Sequence, residues 1–226
     1  MDLSFRNRAV LDLPMRMAQH DATNKLMLDV SPSEDHAIFG NGADPGTYPT
    51  KLDYRRGYNF NGVGNYCSFS TVNPIEETDN ETIFFVMSNL SNSSSYIYST
   101  RDGGSGGTGI FVRAASTLSV WVGLTEDLIS TRVIDRGLVS GCVVRKGTTS
   151  IQLYINGEFD SEDLTIVGPY TDGTARFIGA RGDGAGGIAL PLAADLHALM
   201  VFDYALTPLQ IEDLHLTLTR KSIAGV

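Results

Sequence analysis

Three acidic residues at alternate positions, Glu158, Asp160 and Glu162, stand in the segment IQLYINGEFDSED, residues 151–163. On a regular strand alternate side chains share one face, roughly 7 Å apart per step. Two carboxyl groups about 5–5.5 Å apart are what a retaining glycosidase uses, one as nucleophile and one as acid and base. The same row also describes the solvated face of a strand leaving a turn. The turn is legible: Asn156-Gly157 supplies two residues that accept positive φ, so SIQLYI and the acidic run form a hairpin through a type I′ turn. Like charges packed this densely, with Ser161 between them and Asp163 following, lack the apolar wall that raises one carboxyl pKa selectively, as an acid catalyst requires. The expectation is a hairpin with no catalytic residue.

Other side chains could bind rather than react. In TLSVWVG, Leu118, Val120 and Val122 point to the face opposite Trp121, which leaves the indole with Ser119 and Gly123 on a relatively open surface. Such a ring is either a stacking platform for sugars or is covered by a loop or a neighbouring subunit. Tyr96 and Tyr98 alternate in SSSYIYST and are expected on one strand face, at the rim. Trp121, Tyr96 and Tyr98 are the glycan-binding candidates. Arg181-Gly182-Asp183 spells an integrin-type tripeptide, but inside GARGDGAGG it reads as a flexible Gly-rich loop. His20, His36, His197 and His215 show neither i,i+4 nor Cys-paired spacing, so no metal and no cofactor is expected. Cys67 and Cys142 are flanked by strand-forming residues and read as buried thiols rather than a disulfide.

Those candidates need a scaffold, and the bulk properties bound it. The 226 residues show no linker and are enough for one large all-β domain. A net charge of −9 without a basic stripe argues against nucleic acid as a partner. No run approaches the roughly 18 apolar residues of a membrane span, and MDLSFRNRAVLDLP carries no export signal, so membrane insertion is not expected. Short alternating runs separated by Gly, Asn, Asp, Ser and Pro recur along the chain, the pattern of a two-layer antiparallel sandwich. Leu11–Met17, Lys25–Val30, Arg132–Ile134 and Leu164–Ile166 are among the expected strands. One short helix is expected late. In ALTPLQIEDLHLTL, Thr207 and Gln210 form a capping box, Pro208 opens the first turn, and Leu206 with Ile211 forms a staple.

Segments taken in order carry a family resemblance. LPMRMAQHDATNKLMLDVSPSEDHAIFGNG, then YNFNGVGNYCSF, then RFIGARGDGAGG and DLHALMVFDYALTPLQIEDL, with the Asn156-Gly157 hairpin between, resemble the laminin-G-like jelly roll, a branch of the concanavalin-A-like sandwiches. The likeness spans roughly residues 11–216. It implies an all-β, two-sheet antiparallel jelly roll with one C-terminal helix, between an N-terminal arm (1–10) and a tail (217–226). Members bind glycans, proteins or other ligands, and most of this branch are not enzymes. Some hold calcium near the opening turn, where Asp29 is retained, but Ala198 stands where an acidic residue is frequent. Glu-x-Asp-x-Glu also resembles the catalytic strand of laminarinase-type glucanases, a strand normally set among apolar residues in a sugar cleft.

A recognition fold without an export signal or catalytic apparatus leads to an expected role as a bacteriophage virion protein. It would serve as a capsid decoration or tail-fibre component on the virion surface, made in the host cytoplasm and released by lysis. Leu3, Phe5 and Val10 would be buried against capsid or tail proteins and Arg6 and Arg8 would pair with charges there. A homo-oligomer and a cell-surface glycan are the further partners expected. The alternatives are a free-standing carbohydrate-binding module and, third, a glucanase.

Overall fold

The computed structural model describes residues 9–13, 20–21, 26–27, 36–40, 45–52, 57–69, 80–91, 93–101, 106–123, 125–134, 136–165 and 176–224. The strands run β1 (Ala9–Leu13), β2 (His20–Asp21), β3 (Leu26–Met27), β4 (Ala37–Phe39), β5 (Thr50–Lys51), β6 (Tyr58–Asn61) and β7 (Cys67–Phe69). Longer ones follow: β8 (Glu81–Ser88), β9 (Ser95–Ser99), β10 (Thr108–Val112), β11 (Leu118–Val122), β12 (Thr125–Ile129), β13 (Val139–Lys146), β14 (Ser150–Ile155) and β15 (Glu158–Asp163). The chain closes with β16 (Phe177–Ile178), β17 (Arg181–Gly182), β18 (Ile188–Ala189), β19 (Ala193–Phe202) and helix α1 (Pro208–Ala224).

These strands build the expected sandwich. Sheet A has the order β15-β14-β13-β8-β19-β6-β5, with β1 also on β19, and sheet B the order β12-β11-β10-β9-β16-β7-β4-β3-β2. Ile83, Phe85 and Met87 of β8 share the inter-sheet core with Ile110 and Val112 of β10 and Val120 of β11. The intervening Phe84 and Val86 point the other way, into a second core where Cys142, Val144, Met200 and Phe202 meet Ile211, Leu214 and Leu218 of α1. Buried on both faces, β8 has a continuous apolar run, IFFVM, where a half-solvated strand would alternate.

Helix α1 is held as its sequence predicts at its start and runs further than expected. The Thr207 amide donates to Gln210 Oε1 at 2.9 Å, and the Gln210 amide reaches Thr207 Oγ1 at 3.4 Å. Leu206 and Ile211 are both buried in the second core. Residues 217–224, expected as a tail, continue the helix, because Leu214 and Leu218 keep landing on sheet A. The N-terminal boundary also moves. Ala9 pairs with Phe202 and Leu11 with Val201, so Val10 lies in β1, at a register shift, and not in a free arm. Leu3, Phe5, Arg6, Arg8 and Asp29 lie outside the described residues. Two further strands differ from expectation: Arg132–Ile134 is irregular, and the acidic Thr125–Ile129 forms β12. Among the described residues, no helix is long and apolar enough to cross a membrane.

Candidate binding face on sheet B

The acidic row does not converge. In β14 and β15, Ile155 pairs with Glu158 and Gln152 with Glu162, with a bulge between that leaves Asp160 unpaired in the register. Residues 152 and 155 point to opposite faces of β14, and cross-strand partners share a face, so Glu158 and Glu162 face opposite ways. Each also has a local partner. Glu162 accepts from Gln152 Nε2 at 2.8 Å, and Glu158 pairs with Arg132 Nη1 at 2.8 Å. Asp160 accepts from the Thr131 amide at 2.8 Å, Thr131 Oγ1 at 3.0 Å and the Arg132 amide at 3.1 Å, tying the edge of sheet A to the loop after β12.

A bulge decides the tyrosines too, against expectation. Tyr98 pairs with Ile110 and Tyr96 with Phe111, which leaves Ile97 as the extra residue. Tyr98, 0% exposed, therefore turns into the inter-sheet core and cannot serve as a rim contact. Tyr96 turns outward, onto the face that carries Trp121.

That outer face of sheet B holds a compact group. Register places Ser99, Gly109 and Trp121 in one row, with Tyr96, Phe111 and Ser119 in the next. The rings of Tyr96 and Phe111 pack with centroids 4.9 Å apart. Arg101 follows β9 directly and returns over the sheet, its guanidinium 4.7 Å from the centre of the Trp121 ring and its Nη1 3.3 Å from Tyr96 Oη. A second guanidinium, that of Arg181, lies 5.8 Å from the Tyr96 ring. Gly109 makes this possible: a Cβ there would stand 2.8 Å from Tyr96 Cε1 and 3.3 Å from Arg101 Cδ. Trp121 is thus partly covered, by a side chain of its own chain. Arg101 was not singled out from the sequence, where it stands before a Gly-rich loop; glycine inside a strand, as at Gly109, is the signal of such a close approach.

The remaining candidates take structural places. Asp183 turns its carboxylate into its own loop, accepting the Ala185 amide at 2.7 Å and the Gly187 amide at 2.9 Å, and these bonds hold its pKa below the usual carboxylate value. The tripeptide is therefore strand β17 followed by the first residue of the turn to β18, with Arg181 directed to Tyr96. Asp195 is buried between Asn59 Nδ2 at 2.8 Å and Asn89 Nδ2 at 2.6 Å, and His197 Nε2 bonds Ser88 Oγ at 2.8 Å. Cys67 and Cys142 are free and buried, and burial pushes both thiols far above their ordinary pKa. His215 Nδ1 bonds Ser140 Oγ at 2.9 Å and joins α1 to β13. Among the described residues, no three His, Cys, Asp or Glu side chains gather as a metal site would require.

The profile of the concanavalin A-like lectin/glucanases superfamily matches residues 60–212, more than half of the chain. The chain belongs to this superfamily. Its architecture is a lectin-like sandwich, similar to the binding domain of botulinum neurotoxin serotype D, at 14% identity and a TM-score of 0.69 over 94% of this chain and 52% of that one. The receptor binding domain of the botulinum neurotoxin C/D mosaic serotype is similar at 12% identity and a TM-score of 0.68, over 94% of this chain and 52% of that one. The chain thus spans about half the length of these toxin domains. A SAP-like heptameric pentraxin from Limulus polyphemus is similar at 21% identity and a TM-score of 0.56, over 70% of this chain and 80% of that one. At these identities the likeness to solved structures is one of fold. Among curated proteins, none matches the chain. Within the superfamily the chain departs from glucanase chemistry at the strand that resembled it, since Glu158 and Glu162 share no face.

Proposed function

We propose that this domain is a non-catalytic recognition module that binds a glycan on the outer face of sheet B. The observation that carries the reading is the asymmetry of the two sheets. The outer face of sheet A is filled by α1, whose Ile211, Leu214 and Leu218 are buried on it. The outer face of sheet B instead presents Trp121 and Phe111, both partly exposed, packed around the buried Tyr96. Flat rings on a rigid sheet suit the apolar face of a sugar, and Glu158 and Glu162, at the edge of sheet A, do not converge as an acid–base pair. The test is a glycan array with the wild type and Trp121→Ala, with thermal melts confirming that both are folded. Selective binding lost in the variant is expected; no binding, or binding that survives the substitution, overturns the reading.

The finer role we propose is display on a virion, as decoration or tail component. It is supported by where the first and last described elements sit. Strand β1 pairs on β19 and α1 packs against the same sheet, so the first and last described elements both belong to sheet A, and the proposed glycan face to the other sheet. Removing residues 1–8 is expected to abolish incorporation into particles while glycan binding persists; incorporation at wild-type level would refute the anchoring role.

A further inference from the structure

We propose that the ligand of the sheet B face is an acidic saccharide, whose carboxylate or sulfate group is received by Arg101; this rests on the recognition reading above. Arg101 is 6% exposed, and a guanidinium is charged at every pH a protein tolerates. A charge buried to this degree is costly unless an opposite charge compensates it. The buried Arg145 meets that requirement, its Nη2 lying 3.6 Å from Glu81 Oε2. Among the described residues no carboxylate pairs with Arg101. It has the Trp121 ring and the Tyr96 hydroxyl instead, neither of which carries an opposite charge.

Hydrogen bonding points the same way. Arg101 Nε and Trp121 Nε1 are both buried with no hydrogen-bond partner. Each is a donor that can accept nothing, so the group that satisfies them must be an acceptor. An oxyanion is an acceptor on every oxygen, and its bonds to a guanidinium are of the strong, charge-assisted kind. The second guanidinium on this face, Arg181 beside Tyr96, adds positive charge where the chain as a whole carries −9. The acid nearest to it in sequence, Asp183, accepts the amides of Ala185 and Gly187 and also feels the Arg181 charge. Partly exposed Trp121, Phe111 and Arg181 mark the opening, and the rings take the sugar while the arginines take its acid.

Isothermal titration of the intact protein separates the sources of the anion. The probes are a sulfated heparin-derived oligosaccharide and a carboxylated oligogalacturonate, each beside its neutral counterpart, desulfated or carboxyl-reduced. At least one acidic probe is expected to bind about tenfold or more tightly than its neutral form, and to weaken as salt rises. Arg101→Lys keeps the charge but loses the planar fork, and is expected to cost about tenfold in affinity with an unchanged melting temperature. Arg181→Gln, at a partly exposed position, is expected to cost a smaller factor and carries the test should the buried variant misfold. Equal binding of acidic and neutral forms, or wild-type affinity in both folded variants, overturns the proposal. Trp121-dependent binding of neutral sugars alone overturns it while leaving the recognition reading intact, and absence of binding to every probe overturns both.

Discussion

Glu158 and Glu162 leave strand β15 on opposite faces, because the bulge at Asp160 shifts the register between them. Their spacing in the sequence belongs to a catalytic pair; their directions do not. Glu158→Gln and Glu162→Gln are expected to leave the protein without effect on β-glucans, as is the wild type, measured as reducing-sugar release. Robust release by the wild type that collapses in either variant would show a catalytic role.

Asp160 is the structural member of the row. Asp160→Ala would remove the acceptor of the Thr131 and Arg132 amides, and is expected to cost about 0.5–1.5 kcal/mol in chemical denaturation. An unchanged midpoint would mean that water takes over both amides.

Gly109→Ala would push a methyl group into the Tyr96 ring and against the Arg101 stem. Forced repacking of this kind costs roughly 1–3 kcal/mol. A lower melting temperature and a weakened response to glycan are expected together, since both side chains belong to the proposed face. Glycan affinity equal to that of the wild type would place the ligand elsewhere.

Thr207→Ala removes the hydroxyl that accepts the Gln210 amide, at an expected cost of about 1 kcal/mol. Circular dichroism melts of the wild type and variant measure it directly. Glycan binding is expected to be unaffected, because α1 lies on the far sheet.

His215 gives an acid-side pH dependence. Burial lowers its pKa from the ordinary 6.5, only partly offset by the nearby charges of Glu158 and Glu212. The unfolded chain therefore binds a proton more readily than the folded one, so this contribution is full above pH 6.5 and declines as pH falls through the lowered value. Melting temperature followed downward from about pH 7.5 is expected to fall less steeply in His215→Gln than in the wild type. Parallel slopes would exclude His215 as the source.

Much of this fold was legible locally. Asn156 and Gly157 adopt φ of 54° and 81°, as a type I′ turn demands, and the Thr207–Gln210 box closes as written. Alternation in β11 separated Trp121 from Leu118, Val120 and Val122 correctly. Strict alternation failed at Tyr96 and Tyr98 and again at Glu158 and Glu162, both times because one extra residue in a strand reverses every direction beyond it. Such an insertion is set by pairing with a partner strand, which no local pattern encodes. Arg101 escaped for a related reason: its neighbour Trp121 is remote in sequence and meets it only through sheet pairing. Strand β12, TEDLI, carries two acids and shows no apolar alternation to mark it.

The helix lying across sheet A gives the domain a front and a back. Copies mounted by their backs on a common support would all look outward in parallel, so a fingertip grip by each adds to that of its neighbours. Linked sites of this sort gain 10²–10⁴-fold, on the order of magnitude, over a single one without any new contact. A shallow, millimolar patch around Arg101 would then be sufficient for firm attachment, and selection for a deep pocket would be relaxed.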